Sequence, residues 1–191
     1  MAVAVGSRVP SGPAGPYPAP VTIVAVDVDY RADRVVTAAV GFAAWTDAAA
    51  TIERVTTSMT PPAPYQPGSF YQRELPFLLA ILAEVAAHAP GLVLTAIVVD
   101  GYVTLDGAAP GLGAHLHAAH PEHPPVVGVA KRPWRGGAAG IAVVRGTSHA
   151  PLYVTAIGVD VDEAARQVGA MHGPHRTPTL LKRVDRLARD R

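Results

Sequence analysis

Cysteine is absent from all 191 positions of the sequence. Its absence excludes disulfide bonds and metal sites built on thiolates, and it is typical of the reducing cytoplasm, where we expect this chain to act. A strong charge of one sign is also missing, because charged residues make up 16% of the chain and the formal net charge is +1. The bulk composition therefore gives no sign of the basic surface found in many nucleic-acid-binding proteins.

Long hydrophobic runs are missing as well. The longest apolar stretch, residues 77–87, is interrupted by Glu84 and is too short to cross a bilayer. Residues 1–20 lack the basic and apolar segments of a secretory signal, so we expect no contact with a membrane. The chain has 49% hydrophobic residues, which suits one core. We expect a flexible tail rich in proline and glycine over residues 1–20 and a single monomeric domain over residues 21–191.

The hydrophobic pattern predicts an α/β fold in which a mixed β-sheet is flanked by α-helices. β-Branched and aliphatic residues dominate the predicted strands, and the first three strands are expected to form an antiparallel meander. The central strands are apolar throughout, so we expect them to be buried on both faces. The predicted strands cover residues 21–30, 35–45, 51–57, 92–99, 125–130, 141–145 and 152–155, and the predicted helices cover residues 76–89, 111–120, 160–172 and 179–189.

Three acidic residues stand at the ends of apolar segments. Asp27 follows the strand VTIVAV, Asp100 follows a second strand, and Glu74 precedes the predicted main helix. Strand ends and helix starts meet at one edge of such a sheet, and a buried carboxylate is costly unless it is paired or binds a metal. Clustered carboxylates favour Mg²⁺ or Mn²⁺, which activate water in phosphodiester hydrolysis. Lys131 follows the apolar strand VVGVA and is placed to neutralise a phosphate oxygen or to orient the water.

Spacing alone leaves a second interpretation of these residues open. A lone aspartate after a strand is also typical of a residue that caps a turn, and Asp100-Gly101 is a common turn dipeptide. The recurrence of the pattern at Asp27 and Asp100 favours the metal site over the turn.

Several segments that follow one another along the chain resemble motifs of the endonuclease V family. The longest is PYQPGSFYQRELP at residues 64–76, which resembles the PYxPGxLxxRExP signature of that family. The long signature together with the other motifs in the same order is specific, whereas one short motif would carry little weight. The other segments are VAVDVDY at 24–30, VVDG at 98–101, GLGAHLH at 111–117 and VGVAKRPW at 127–134, with PLYVT at 151–155 and HRTP at 175–178 as weaker matches.

The resemblance implies an RNase H-like fold and a metal-dependent endonuclease. Members of the family cleave inosine-containing DNA or RNA, usually at the second phosphodiester bond 3′ of the deaminated base, and leave 3′-hydroxyl and 5′-phosphate ends. By position in the motifs, Asp27, Glu74 and Asp100 are expected to be catalytic and to bind Mg²⁺, with Mn²⁺ as a substitute. Lys131 is expected to be the catalytic lysine.

The resemblance also implies a set of residues that contact the substrate. Tyr65 matches the tyrosine that acts as a wedge when the base leaves the stack, and the prolines around it restrict the backbone. The complete set expected to bind substrate is Tyr65, Pro67, Gly68, Gly101, His115 and Arg132.

The chain departs from the family pattern in two places. The family has a histidine in a G-H-R-x-S context after the strand that matches PLYVT, but here the sequence is AIGVDVD at residues 156–162. Either Asp160 or Asp162 supplies an acidic group there, or Asp160 is a helix N-cap with Glu163 three residues later, and the capping-box spacing favours the N-cap. The H-P-R sequence expected after VDG is also missing, and LDGAAP stands at residues 105–110.

Two further patterns admit more than one interpretation. The histidines at positions 115, 117, 120 and 123 have irregular spacing and no cysteine nearby, so they do not indicate a zinc site. The basic residues near the C-terminus are either a solvated helix face or a surface that contacts phosphates.

The sequence thus predicts a nuclease directed at inosine, with two alternatives. One is an RNase H-like nuclease directed at RNA or at nucleic-acid structure, because the loop after Asp100 is altered. The other is a nucleic-acid-binding module with impaired catalysis. Retention of Asp27, Glu74, Asp100 and Lys131 argues against the second alternative.

Overall fold

The structure is a computed structural model and describes residues 21–62, 71–106, 109–135 and 140–190. Seven strands form one mixed sheet, and two strands of two residues each form a small hairpin. The sheet strands are β1 (Val21–Tyr30), β2 (Val35–Phe42), β3 (Ile52–Ser58), β4 (Val93–Val99), β7 (Val126–Ala130), β8 (Ile141–Val143) and β9 (Leu152–Ile157), and the hairpin strands are β5 (Thr104–Leu105) and β6 (Ala109–Pro110). The helices are α1 (Tyr71–His88), α2 (Leu112–Ala119), α3 (Val161–Ala170) and α4 (Thr179–Arg189). No helix within these described ranges is long and apolar enough to cross a membrane.

The strands lie across the sheet in the order β3-β2-β1-β4-β7-β9-β8. The first three form the antiparallel meander that the sequence predicts. β4 lies parallel to β1, β7 lies parallel to β4, and β9 returns antiparallel beside β7. The three parallel strands at the centre, β1, β4 and β7, therefore end at the same edge of the sheet.

Helices cover both faces of this sheet. On one face, Val24 and Val26 of β1 pack in a core with α1 and α2. On the other face, Ile23 and Ala25 pack in a core with α3 and α4. The alternation follows from the two-residue period of a strand, and it explains why the central strands are apolar at nearly every position. The predicted burial of the central strands on both faces is confirmed.

The main helix begins earlier than the sequence predicts. α1 starts at Tyr71 and not at Pro76, so Glu74 lies in its first turn and Pro76 lies inside the helix. The proline removes one backbone N–H, the donor that would reach the carbonyl of Gln72, and near a helix start this loss is small. The apolar residues that α1 buries against the sheet compensate for it. The β5–β6 hairpin was also not predicted, because two-residue strands show no periodicity.

A buried arginine holds the segment between α3 and α4. Arg145 is 6% exposed. Its guanidinium donates hydrogen bonds only to backbone carbonyls of the described residues. The acceptors are the carbonyl oxygens of Gly169 (3.2 Å), His175 (2.9 Å), Arg176 (3.3 Å), Gly173 (3.4 Å) and Met171. These bonds satisfy carbonyls at the C-terminal end of α3 and in the following loop. Arg145 therefore fixes the loop between α3 and α4.

We expect Arg145→Met to lower the free energy of unfolding by about 3 kcal/mol, because several carbonyls lose a charged donor in a buried place. Urea denaturation measures the change. The matched control is Arg166→Met on α3, whose guanidinium pairs only with Glu163 one turn away and is largely exposed; this change should cost less than about 1 kcal/mol. Equal urea midpoints for the two variants would contradict the role given to Arg145.

Candidate active site

The register of the central strands brings two aspartates side by side. Val26 of β1 pairs with Val99 of β4, so Asp27 and Asp100 follow directly in two neighbouring parallel strands. β1 continues past this point because it still pairs with β2, where Asp27 lies opposite Ala38. Both carboxylates therefore belong to the same edge of the sheet.

The first turn of α1 carries a third carboxylate, that of Glu74, to this edge. One cleft is lined by Asp27, Glu74 and Asp100, together with Asp29 and Arg189 and the apolar residues of β1 and β4. An oxygen of Asp27 accepts the N–H of Val28 at 3.0 Å. Glu74 accepts no hydrogen bond from any residue that the structure describes. The cleft therefore holds acidic groups with few donors to compensate them.

The electrostatics of the cleft follow from burial and mutual repulsion. Burial, followed by the charges of Asp100 and Asp185, raises the pKa of Asp27 to about 6. Burial, followed by the charges of Asp27 and Asp100, raises the pKa of Glu74 to about 8. The charges of neighbouring carboxylates thus add to the effect of burial at both Asp27 and Glu74. Carboxyl groups with pKa values raised in this way are typical of functional sites.

The ammonium group of Lys131 neutralises part of the negative charge of these carboxylates. It directly follows β7, and its Nζ lies 2.6 Å from Asp100 Oδ2 and 3.6 Å from Asp185 Oδ1. Burial alone lowers the pKa of Lys131, but the hydrogen bond to Asp100 and the charges of Asp100, Asp185 and Asp27 raise it above its usual value. The ammonium therefore stays charged throughout the physiological pH range.

Asp185 was not singled out by the sequence, although it lies in this group. It is on α4, it lines an apolar recess beside Asp27, Asp100 and Lys131, and its Oδ1 is also 3.1 Å from Arg189 Nη2. The only sequence signal for it is an acidic residue within an otherwise basic helix. That signal is weak, because an ion pair four residues apart on a helix surface is common.

The donor chemistry of the cleft fits a hard divalent cation. Asp27, Glu74 and Asp100 offer carboxylate oxygens, which are the ligands that Mg²⁺ and Mn²⁺ prefer. As they stand, no three His, Cys, Asp or Glu side chains of the described residues form a group that could hold a metal ion. Lys131 already occupies one oxygen of Asp100. The sharing of one ion by the three carboxylates stays a prediction.

Three of the six residues expected to bind substrate lie in the described part of the chain. The ring of His115 stacks on Tyr71 in the first turn of α1, with 3.4 Å between ring centroids. Gly101 directly follows Asp100 with a φ of +150°, a conformation that favours glycine. The backbone carbonyl of Arg132 accepts a hydrogen bond from Tyr102 Oη at 2.7 Å, and its residue is exposed. Tyr65, Pro67 and Gly68 lie outside the described residues.

The segment that replaces the family histidine has a structural role. Asp160 is the N-cap of α3, and its Oδ1 accepts the N–H of Glu163 at 2.9 Å. This is the arrangement that the capping-box spacing favours. Asp162 is exposed in the first turn of the same helix.

Two of the histidines between residues 115 and 123 hydrogen-bond to backbone carbonyls. His117 Nδ1 is 2.9 Å from the carbonyl of Pro124, and His123 Nδ1 is 2.9 Å from the carbonyl of His117. Both nitrogens therefore donate to these carbonyls.

Comparison with known proteins identifies relatives along nearly the whole chain. The family model of endonuclease V matches residues 9–154. The endonuclease V of Streptomyces avermitilis is 30% identical over 196 residues, which cover 92% of this chain and 82% of that protein. Its crystal structure has a TM-score of 0.67 at 29% identity and covers 92% of this chain and 83% of its own.

More distant solved structures share the fold. The crystal structure of human ENDOV has a TM-score of 0.72 at 23% identity and covers 88% of this chain and 83% of its own. The structure of Ciona intestinalis endonuclease V, in complex with a 24mer DNA containing an inosine followed by a ribo-adenosine, has a TM-score of 0.75 at 17% identity. It covers 88% of this chain and 84% of its own.

The mixed sheet with helices on both faces and a carboxylate cleft at one edge makes this an RNase H-like protein, as its solved relatives are. The predicted fold class is therefore confirmed. Within that class, the match of the family model and the 30% identity to the Streptomyces protein show that the chain belongs to the endonuclease V family. The resemblance found in the sequence motifs is confirmed with it.

The cleft also predicts how one substitution changes thermal stability. We expect Asp27→Asn to raise the melting temperature by roughly 3 °C at pH 8 in EDTA, because it removes one of three mutually repelling carboxylates. Addition of Mg²⁺ or Mn²⁺ should raise the melting temperature of the parent and have a smaller effect on the variant. Differential scanning fluorimetry measures both shifts.

The control for this experiment is Asp162→Asn, which removes an exposed carboxylate from α3. Its shift with the metal should equal that of the parent. If Asp27→Asn responds to the metal as the parent does, Asp27 is not a ligand, and if Asp162→Asn loses the response, the acidic replacement for the histidine is at Asp162.

Proposed function

We propose that this chain is a metal-dependent endonuclease that cleaves a phosphodiester bond near inosine in DNA or RNA and leaves 3′-hydroxyl and 5′-phosphate ends. The observation that carries the proposal is the cleft in which the buried carboxylates of Asp27 and Glu74 face Asp100 and Lys131. Membership of the endonuclease V family supports an endonuclease. The inosine-containing DNA bound by the Ciona relative supports the substrate.

Asp27, Glu74 and Asp100 are the residues that would hold Mg²⁺ or Mn²⁺. A bound divalent cation supplies a nucleophilic water at neutral pH and stabilises the charge that develops on the phosphate. The protein contributes ligands on rigid elements, because Asp27 lies in β1 and Asp100 directly follows β4, and both strands are buried on both faces.

Lys131 acts in this proposal as a positive charge and not as a base. Its pKa lies above the ordinary lysine value because of its acidic neighbours, so it has no free electron pair at neutral pH. An ammonium beside the cleft attracts a phosphate oxygen and stabilises the charge of the transition state. Its ion pair with Asp100 keeps the side chain directed at the cleft before substrate binds.

We assign base selection to a further set of residues, on the basis of the motif match. An enzyme that inspects a base takes it out of the stack, which is easiest for a weakly paired base such as inosine. We assign the wedge to Tyr65, with Pro67 and Gly68 beside it, from the motif. Gly101, His115 and Arg132 are assigned to the substrate on the same basis.

The test is cleavage of matched oligonucleotides. DNA and RNA strands, single and double, are prepared with inosine or adenosine at one position and incubated with Mg²⁺ or with EDTA. We expect a cut 3′ of the inosine in Mg²⁺ only, and end-labelling identifies the 3′-hydroxyl and 5′-phosphate. Cleavage regardless of inosine would favour a structure-directed nuclease, and binding of inosine strands without any cut would favour the binding module.

We expect Lys131→Ala to lower the rate of single-turnover cleavage at least about 100-fold, the size of effect seen when one transition-state contact is removed. Its melting temperature should change little, since half-exposed ion pairs contribute less than about 1 kcal/mol. Arg166→Ala, an exposed charge on α3, is the control and should cleave at the parental rate. Loss of folding without a specific loss of rate would make Lys131 a structural partner of Asp100.

A further inference from the structure

A second cavity lies on the α4 side of Lys131. We call it the basic pocket, and it is lined by Lys131, His175, Arg176, Thr177, Lys182 and Asp185. It shares Lys131 and Asp185 with the apolar recess that Asp27 and Asp100 also line. A ligand in the basic pocket therefore lies next to Lys131, which pairs with Asp100 of the carboxylate cleft.

Lys182 brings to this pocket a positive charge that pairs with no carboxylate of the described residues. Lys131 is neutralised by Asp100 and Asp185, and Asp185 also pairs with Arg189. The ammonium of Lys182 has no hydrogen bond or ion pair with any residue that the structure describes, and the residue is exposed. The pocket therefore carries a net attraction for an anion.

Arg176 forms a rigid wall of the pocket. One of its terminal nitrogens donates to the backbone carbonyls of Lys131 and of Pro151, the latter at 2.7 Å. The carbonyls of His175 and Arg176 accept from the buried Arg145. Both the backbone and the guanidinium of Arg176 are thus held in place before a ligand binds. Little conformational entropy is therefore lost when the guanidinium contacts an anion.

Thr177 completes the donor set. Its hydroxyl makes no hydrogen bond with the described part of the chain, so it is available to an oxygen of the ligand. An ammonium, a fixed guanidinium and a free hydroxyl around one cavity are the groups that contact phosphates in protein–nucleic acid interfaces.

We propose that the basic pocket binds a backbone phosphate of the nucleic-acid strand, next to the phosphate that lies at the carboxylate cleft. The assignment of the neighbouring phosphate rests on the proposed nuclease function. The position of the pocket beside Lys131, which pairs with Asp100 of the cleft, favours a nucleic-acid strand over an acidic peptide, because a strand presents one anion at each step of a regular repeat. Lys182 is a positioning residue that sets the register of the strand.

The salt dependence of binding tests the charge. Fluorescence anisotropy gives the Kd of the Asp27→Asn protein for an inosine-containing duplex over a range of KCl concentrations. Adding Lys182→Gln should reduce the slope of log Kd against log[KCl] by about 0.9, the value for one lost phosphate contact. Kd at the lowest salt should rise about 3- to 10-fold.

Arg183→Gln is the matched control, because it removes one positive charge from the next position of the same helix. Arg183 makes two hydrogen bonds of 2.7 Å to the carboxylate of Glu53 on β3, so it is directed away from the basic pocket. Its slope should equal that of the unsubstituted background. Equal slopes for Lys182→Gln and Arg183→Gln would overturn the proposal.

A second experiment locates the backbone phosphate that the basic pocket binds. Duplexes are made in which one phosphate at a time, on either side of the cleavage site, is replaced by a neutral methylphosphonate. At one position beside the scissile bond, Lys182→Gln should no longer weaken binding, because its partner charge is already gone. If the Lys182→Gln effect persists at every position, or if an acidic peptide competes at the same site and duplex does not, the pocket does not bind a backbone phosphate.

Failure of this proposal can be distinguished from failure of the nuclease function. If the parent protein does not cut at inosine but Lys182→Gln still lowers the salt slope on a duplex without inosine, the proposed function is wrong and the basic pocket stands. If the parent cuts at inosine and the slopes of Lys182→Gln and Arg183→Gln agree, the function stands and the pocket is wrong.

Discussion

The active edge of this sheet depends on a balance between carboxylate repulsion and a single ammonium group. Lys131 lies against Asp100 and reaches Asp185, so that side of the cluster is neutralised. Asp27 and Glu74 form no ion pair with any residue that the structure describes, and burial and neighbouring carboxylates raise their pKa values. The uncompensated charge is thus concentrated between β1 and α1. That is the side on which a divalent cation gains most from binding.

A close backbone contact holds the segment after Asp100 against β7, the strand that leads to Lys131. A Cβ at Gly128 of β7 would lie 2.6 Å from the carbonyl oxygen of Gly101 and 2.7 Å from Thr155 Oγ1. The same Thr155 hydroxyl accepts the N–H of Val103 at 2.8 Å. The residues after Asp100 therefore pack directly on the strand that leads to Lys131. The VDG and GVAK motifs meet in this one contact, in which Gly128 leaves no room for a Cβ and Gly101 supplies the carbonyl oxygen.

Much of this arrangement could be predicted from the sequence, because it depends on local periodicity. The meander, the apolar central strands and both ends of α4 follow from hydrophobic spacing. The start of α1 was misplaced, because Pro76 is a strong local signal and the packing of the helix against the sheet is not. Arg145 carries no local signal, and the signal at Asp185 is weak. The acceptors of Arg145 lie far away in sequence, and only the fold shows that this arginine is buried and donates to five backbone carbonyls.

The C-terminal helix completes the site by presenting different residues in different directions. Val184 packs in the core and Arg183 reaches β3, whereas Lys182 and Asp185, three positions apart, lie on one side and line the basic pocket. Asp160, after β9, is used to cap α3, so it is not free to serve the cleft. The acidic group beside Lys131 comes from α4 instead. Because the loop before α4 is held by Arg145, the position of Asp185 relative to Lys131 depends on a buried arginine that touches neither.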